Sequence, residues 1–146
     1  MLTPIQTRLS ATYMTTDHKS PVPKRSCSLE IVSKDLEPRR VSEIVEIQPD
    51  KEHRRGDLQQ SGTPRFQGVW VIDSSYHITS VELADHLAYI EEFVRAHRLR
   101  LREAKRLTGA RVSIRLFCEF ESTISITIEN SLLKEEFIDG LHISIV

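Results

Sequence analysis

Cysteine is nearly absent from this chain, glycine is scarce, and no apolar run is long. The two cysteines, Cys27 and Cys118, stand far apart with no metal-ligand spacing. Each falls on the apolar phase of an alternating run. Both therefore read as small buried thiols, and a disulfide framework is excluded as the basis of the fold. Five glycines supply neither a Walker loop nor a dinucleotide fingerprint. No apolar stretch approaches the roughly 18 residues that span a bilayer. The N-terminus lacks the apolar core of an export signal, so the expected location is the cytoplasm, without membrane contact. A net charge of -1, from 20 Lys+Arg and 21 Asp+Glu, removes global attraction to nucleic acid. No Ser, Cys or Thr carries a nucleophile motif, and no histidine sits three or four positions from His97. Neither a cofactor nor a metal is expected.

What is present is a readable scaffold. Residues 1–25 are rich in Thr, Ser and Pro without periodicity, which predicts a flexible tail ahead of a single domain over 26–146. Met14 offers a second start within that tail. Ser26 to Val32 alternates, with Cys27, Leu29 and Ile31 on one side, and predicts a half-buried strand. Asp35-Leu-Glu-Pro38 opens a short helix carrying Val41, Ile44 and Val45 inward, and Pro49 ends it. Phe66 to Ile72 predicts a second strand, apolar on both faces around Trp70. Ser80 to Thr108 predicts one long helix, with a capping box from Thr79 to Glu82, an apolar stripe through Leu83, Leu87, Ile90, Val94, His97 and Leu101, and Gly109 as its stop. Its acids lie early and its bases late, as the helix dipole favours. His97 reads as a hydrogen-bonded core residue. Ala110 to Glu121 and Thr123 to Glu129 alternate and predict a hairpin turning near Glu121-Ser122. A short helix from about Ser131 to Ile138 and a strand carrying Leu141, Ile143 and Ile145 complete the chain.

These elements predict an α+β domain. The expected architecture is a mainly antiparallel five-stranded sheet, ferredoxin-like in style, with one long and two short helices on one face. Clean alternation in three strands implies a wet face opposite the helices, carrying Ser26, Ser28, Glu30, Arg111, Ser113, Arg115, Glu119, Thr123, Ser125, Thr127 and His142. A weak echo links Leu29 to Gln48 with Ile124 to Leu141, each running strand, acid, short helix and turn.

One stretch fits none of these patterns. Asp50-Lys-Glu-His-Arg-Arg-Gly-Asp57 gathers charge around a glycine and leads through Ser61-Gly-Thr-Pro64 into Trp70. His53, Arg54 and Arg55 are candidate ligands for an anion, with Gly56 letting backbone N–H groups approach it. The competing reading is a turn: Gly56 supplies positive φ and Asp57 accepts backbone hydrogen bonds. Four pieces, taken in order, resemble a known family, the domain of unknown function 4279, found in small, mostly bacterial proteins. They are Asp35-Leu36-Glu37-Pro38, Ile47-Gln48-Pro49, His53-Arg54-Arg55-Gly56-Asp57 and Gly68-Val69-Trp70. The resemblance runs from Cys27 to the C-terminus and implies an α+β fold without an activity. The family's glycine–aspartate pair and tryptophan fall on Gly56, Asp57 and Trp70.

Two functional expectations follow. The first is a non-catalytic binding module that engages a protein partner, or a second copy, through the polar sheet face or the His53–Asp57 loop. By analogy of class alone, toxin-neutralising immunity proteins are built this way. The second is an enzyme or small-ligand binder that takes an anionic substrate at His53, Arg54 and Arg55. Arg95, Arg98, Arg102 and Arg106 form a basic stripe on the long helix. With Tyr89 and Phe93 confined to its acidic half, the stripe reads as a solvated face, and nucleic acid is not an expected partner.

Overall fold

The computed structural model describes residues 9–11, 24–119, 124–126 and 135–145. In chain order the elements are β1 (Leu9–Ala11), β2 (Arg25–Ser33), α1 (Pro38–Val45), β3 (Lys51–His53), β4 (Gly68–Asp73), a 3-10 turn (Ser74–Tyr76), α2 (Leu83–Ala96), α3 (Arg98–Thr108), β5 (Arg111–Cys118), β6 (Ile124–Ile126) and β7 (Gly140–Ile145). Five strands form one sheet in the order β3-β4-β2-β5-β7. The first three pairings are antiparallel, whereas β7 runs parallel to β5. The protein is α+β as expected, but the sheet is mixed.

Alternation decides which face is buried. From β2, β4 and β5, the residues Cys27, Leu29, Ile31, Trp70, Ile72, Val112, Ile114 and Leu116 point to one side and are almost completely buried. The helical layer seals them with Leu83, Leu87, Ile90 and Val94 of α2, Leu101 and Ala104 of α3, and Val41 and Val45 of α1. Fully burying a side chain of this size contributes about 1.5–3 kcal/mol. Gly68 is required by close approach: a Cβ there would stand 2.2 Å from the Leu36 carbonyl oxygen. Trp70 donates its indole N–H to Ser42 Oγ at 3.0 Å, tying β4 to α1 inside the core.

Four expectations change. The expected single helix is broken at His97, whose φ of -117° and ψ of 17° separate α2 from α3. The two halves serve different partners, because α2 lies over β2 while α3 packs against α1. The helix also starts later than Thr79, with Glu82 in the N-cap position and no side-chain cap. α1 ends at Glu46, which takes the left-handed conformation at φ 63°, ahead of Pro49. The expected hairpin does not form: β5 lies between β2 and β7, and β6 pairs instead with β1 in a separate two-stranded sheet. β1 itself falls in the stretch read as a tail, most of which lies outside the described residues, as do the Glu121-Ser122 turn, Thr123, Thr127 and residues 131–134 of the last expected helix. The described end of that helix is a turn in which Ile138 N–H bonds the Glu135 carbonyl at 3.1 Å.

Candidate functional site

The charged stretch begins as an edge strand. β3 pairs with β4 so that Lys51 stands opposite Val71 and His53 opposite Val69. Just before it, Asp50 Oδ2 accepts the Asp73 N–H at 2.8 Å, and Asp50 Oδ1 meets His77 Nε2 at 2.8 Å. After it the chain turns. Gly56 has φ 92°, Asp57 Oδ2 accepts the Arg54 N–H at 2.7 Å, and Gly56 N–H bonds the Arg65 carbonyl at 2.8 Å. Arg54 Nε lies 3.0 Å from Glu37 Oε1, and Arg55 Nη1 lies 3.0 Å from Asp35 Oδ1. Both guanidiniums are thus neutralised by the connection ahead of α1. His53 meets Arg65 Nη1 at 3.2 Å instead. Burial, and then the Arg65 guanidinium, lower its pKa, so its imidazole is neutral at pH 7. Of the three candidate anion ligands, His53 and Arg54 line one hollow, and Arg55 is turned to Asp35 outside it. That hollow, of about 570 Å³, sets Glu37, Glu43, Glu52 and Asp57 against Arg39, Arg54 and the neutral His53, an unfavourable environment for an anion.

The wet face of the sheet is the larger feature. No helix lies on it among the described residues. It forms the floor of a shallow cavity of about 560 Å³, walled by Ile78 to Val81. Two ion pairs cross this floor. Lys51 Nζ lies 3.0 Å from Asp73 Oδ2, and Arg115 Nε lies 3.2 Å from Glu30 Oε1. In both, the carboxylate is sunk and the cation reaches out. Side-chain exposures are 54% for Lys51 against 9% for Asp73, and 45% for Arg115 against 17% for Glu30. Burial pushes the Asp73 carboxyl up, but hydrogen bonds from the Ser75 hydroxyl and N–H, with the Lys51 ammonium, hold it below its ordinary value. Burial opposes the charge on Lys51 too, yet the Asp73 carboxylate outweighs it and raises the Lys51 pKa.

Ser74 and His86, which no sequence pattern singles out, are buried at 0% and 2% exposure, and His86 lines the inner edge of this cavity. His86 Nε2 stands 2.7 Å from the Ser80 carbonyl oxygen, so it carries the proton and Nδ1 accepts from the Ser74 hydroxyl at 2.7 Å. Ser74 Oγ accepts in turn from the Cys27 N–H at 2.8 Å. A serine hydroxyl beside an imidazole suggests a nucleophile and its base. Here the hydroxyl is sealed from solvent and its lone pair is committed to β2, so the chain of bonds fastens the 80–82 loop and α2 to the sheet. Only the spatial neighbourhood reveals it, because Ser74 and His86 are separated by a turn and a loop.

Cys27 and Cys118 are both free and buried. Burial raises both thiol pKa values, which leaves neither as a thiolate. The helical basic stripe is largely neutralised internally: Arg95 by Glu91 and Glu92, Arg98 and Arg102 by Glu135, Arg106 by Glu103. Among the described residues, no cluster of His, Cys, Asp and Glu has the arrangement of a metal site. No described helix is long and apolar enough to cross a membrane. No curated protein and no solved structure matches the chain. Residues 23–144 match the family model described as "Domain of unknown function (DUF4279)", covering β2 through almost all of β7 and every residue of the turn and tryptophan motifs, and the chain belongs to that family.

Proposed function

We propose that this domain is a non-catalytic binding module that receives a protein partner on the open face of its five-stranded sheet. The observation that carries this reading is the arrangement of the Lys51–Asp73 and Glu30–Arg115 pairs. Each sinks its carboxylate and turns its cation outward on a face that no described helix covers. A polar sheet face that no described helix covers, flanked by a wall, is a platform for a partner's surface, and its charges govern orientation and specificity. An enzyme reading needs a free general base or an exposed nucleophile. Asp73 is committed to Lys51 and Ser75, and Ser74 is sealed. The anion-site reading at His53, Arg54 and Arg55 is weakened because both arginines are paired and His53 is neutral at pH 7.

The test compares capture of native partners by the full chain and two charge reversals. Arg115→Glu alters the open face, and Arg39→Glu alters the exposed surface of α1. Loss of a partner on Arg115→Glu, with retention on Arg39→Glu and unchanged melting of both, supports the reading. Retention on Arg115→Glu together with loss on Arg39→Glu places binding on the helical side and overturns it.

A further inference from the structure

We infer that two copies of this chain join along the outer edge of β7, antiparallel and about a twofold axis at Ile143, so that two five-stranded sheets become one continuous sheet.

The two edges of the sheet are unlike. At one, β3 is only Lys51, Glu52 and His53. Short length and charge are what guard an edge against pairing. At the other, β7 runs Gly140-Leu-His-Ile-Ser-Ile145, without lysine, arginine, carboxylate or proline. Its register with β5 is unbroken from Gly140 to Ile145, so no bulge turns the edge away. Among the described residues no strand pairs with its outer side, where a row of N–H and C=O groups is left to bond. Ile143 and Ile145 stand beside Leu116 and Cys118 on the helix-covered side of the sheet. Leu116 and Cys118 are 0% exposed, whereas Ile143 is 46% and Ile145 60% exposed. The apolar phase of the sheet thus continues past the reach of the helical layer.

An added strand completes such an edge, and this edge fits its own copy. A twofold axis normal to the sheet keeps the helix-covered sides of both copies together, so opposed residues share a side. That condition restricts the register. An axis at Ile143 sets Ile143 opposite itself, Leu141 opposite Ile145 and His142 opposite Ser144, which pairs all three apolar residues. An axis at His142 would set two imidazoles opposite each other and leave Ile145 facing Asp139, outside the strand. An axis at Ser144 would leave Leu141 out. β7 carries no formal side-chain charge at neutral imidazole, so pairing with itself meets no like-charge repulsion. Pairing β7 with the opposite edge would set it against a charged strand half its length and would propagate as an open filament. The paired stretch is about 17 Å long, short of the roughly 800 Å² per partner of a standard interface, so the dimer is reversible. It lays the two open faces side by side, offering a partner two platforms at once.

Sedimentation of the full chain over a wide concentration range should show a reversible rise from the 16.8 kDa of one chain towards twice that mass. Ile145→Lys, at the more exposed of the two isoleucines, should weaken dimerisation about tenfold or more, with melting of the dilute chain unchanged. Glu52→Lys on the β3 edge should leave dimerisation as it is. Single cysteines locate the axis. Ile143→Cys sets two thiols directly opposite and should cross-link under mild oxidation, whereas the two thiols of Ile145→Cys stand four residues apart, about 13 Å, and should not. The native Cys27 and Cys118 are buried and take no part. A single-chain mass at every concentration overturns the inference, as does a mass that grows beyond two chains or a dimer unaffected by Ile145→Lys. Equal cross-linking of the two cysteine variants overturns the axis at Ile143. Each of these outcomes leaves the comparison of Arg115→Glu with Arg39→Glu to decide the partner reading.

Discussion

The two faces of the five-stranded sheet come from alternate residues of the same strands, and they treat polar groups in opposite ways. On the helix-covered face the polar groups have fixed partners inside the fold, as Trp70 has Ser42. On the open face the charges are half satisfied, with carboxylates sunk and cations outward. A side chain on the covered face answers to volume, and one on the open face answers to charge. Neighbouring residues of β5 put the contrast to its most direct test. Leu116 is fully buried under the helices, and Phe117 lies half-buried on the other side. Leu116→Ala should cost about 3 kcal/mol through the cavity it leaves. Phe117→Ala, despite removing the larger group, should cost less than about 1 kcal/mol, because solvent can fill its place. Denaturant unfolding of both variants measures the difference. Equal losses would mean that the open face is covered as thoroughly as the other.

The same contrast appears with pH, as a smaller effect. His53 has a lowered folded pKa, so below its ordinary value of about 6.5 the unfolded chain binds the proton first. Stability is therefore lost as pH falls from about 6.5 through the folded pKa. Asp73 and Asp139 also have lowered values, and their contribution is present above about 3.9 and lost as pH falls through their folded pKa values. Melting temperature against pH should thus fall in two stages. His53→Gln should flatten the upper stage, and Asp73→Asn should flatten part of the lower one. If His53→Gln leaves the slope between pH 7 and 5 unchanged, the imidazole is not held neutral by the fold.

This contrast explains what the sequence disclosed. The alternation in β2 and β5 was legible because each has one apolar phase against the helices. The wet face was legible for the same reason, down to Ser28, Glu30 and Arg115. β3 was not, since Lys51-Glu-His has no apolar phase; an edge strand three residues long needs none, and its charges protect the edge. Lys51 was therefore invisible as a member of the open face, and the ion pairs across that face depend on register, which sequence spacing does not supply. The pairing of β6 with β1 joins residues more than a hundred positions apart, beyond any local pattern. The break at His97 reflects the different partners of α2 and α3, with the His97 ring set 4.6 Å from Phe93. Of the charged stretch, Gly56 and Asp57 occupy the turn geometry expected of those residue types, while the pairing of Arg54 and Arg55 with Glu37 and Asp35 became visible only in three dimensions.

The smallest expected effect lies at the end of α1, on the covered side, where backbone geometry decides. Glu46 is the one described residue other than glycine with positive φ, at 63°, and its N–H bonds the Ser42 carbonyl at 2.8 Å. A side chain in that conformation costs about 1 kcal/mol relative to glycine. Its carboxylate recovers part of this through Arg100 at 3.1 Å, an exposed pair that contributes a few tenths of a kcal/mol at most. Glu46→Gly should therefore stabilise the fold by about 0.5 kcal/mol, while Glu46→Gln should destabilise it slightly by losing only the ion pair. Chemical denaturation resolves both directions. A loss of stability on Glu46→Gly would show that the contact with Arg100 outweighs the backbone strain, and that charge counts for more on the helical side than this contrast between the faces allows.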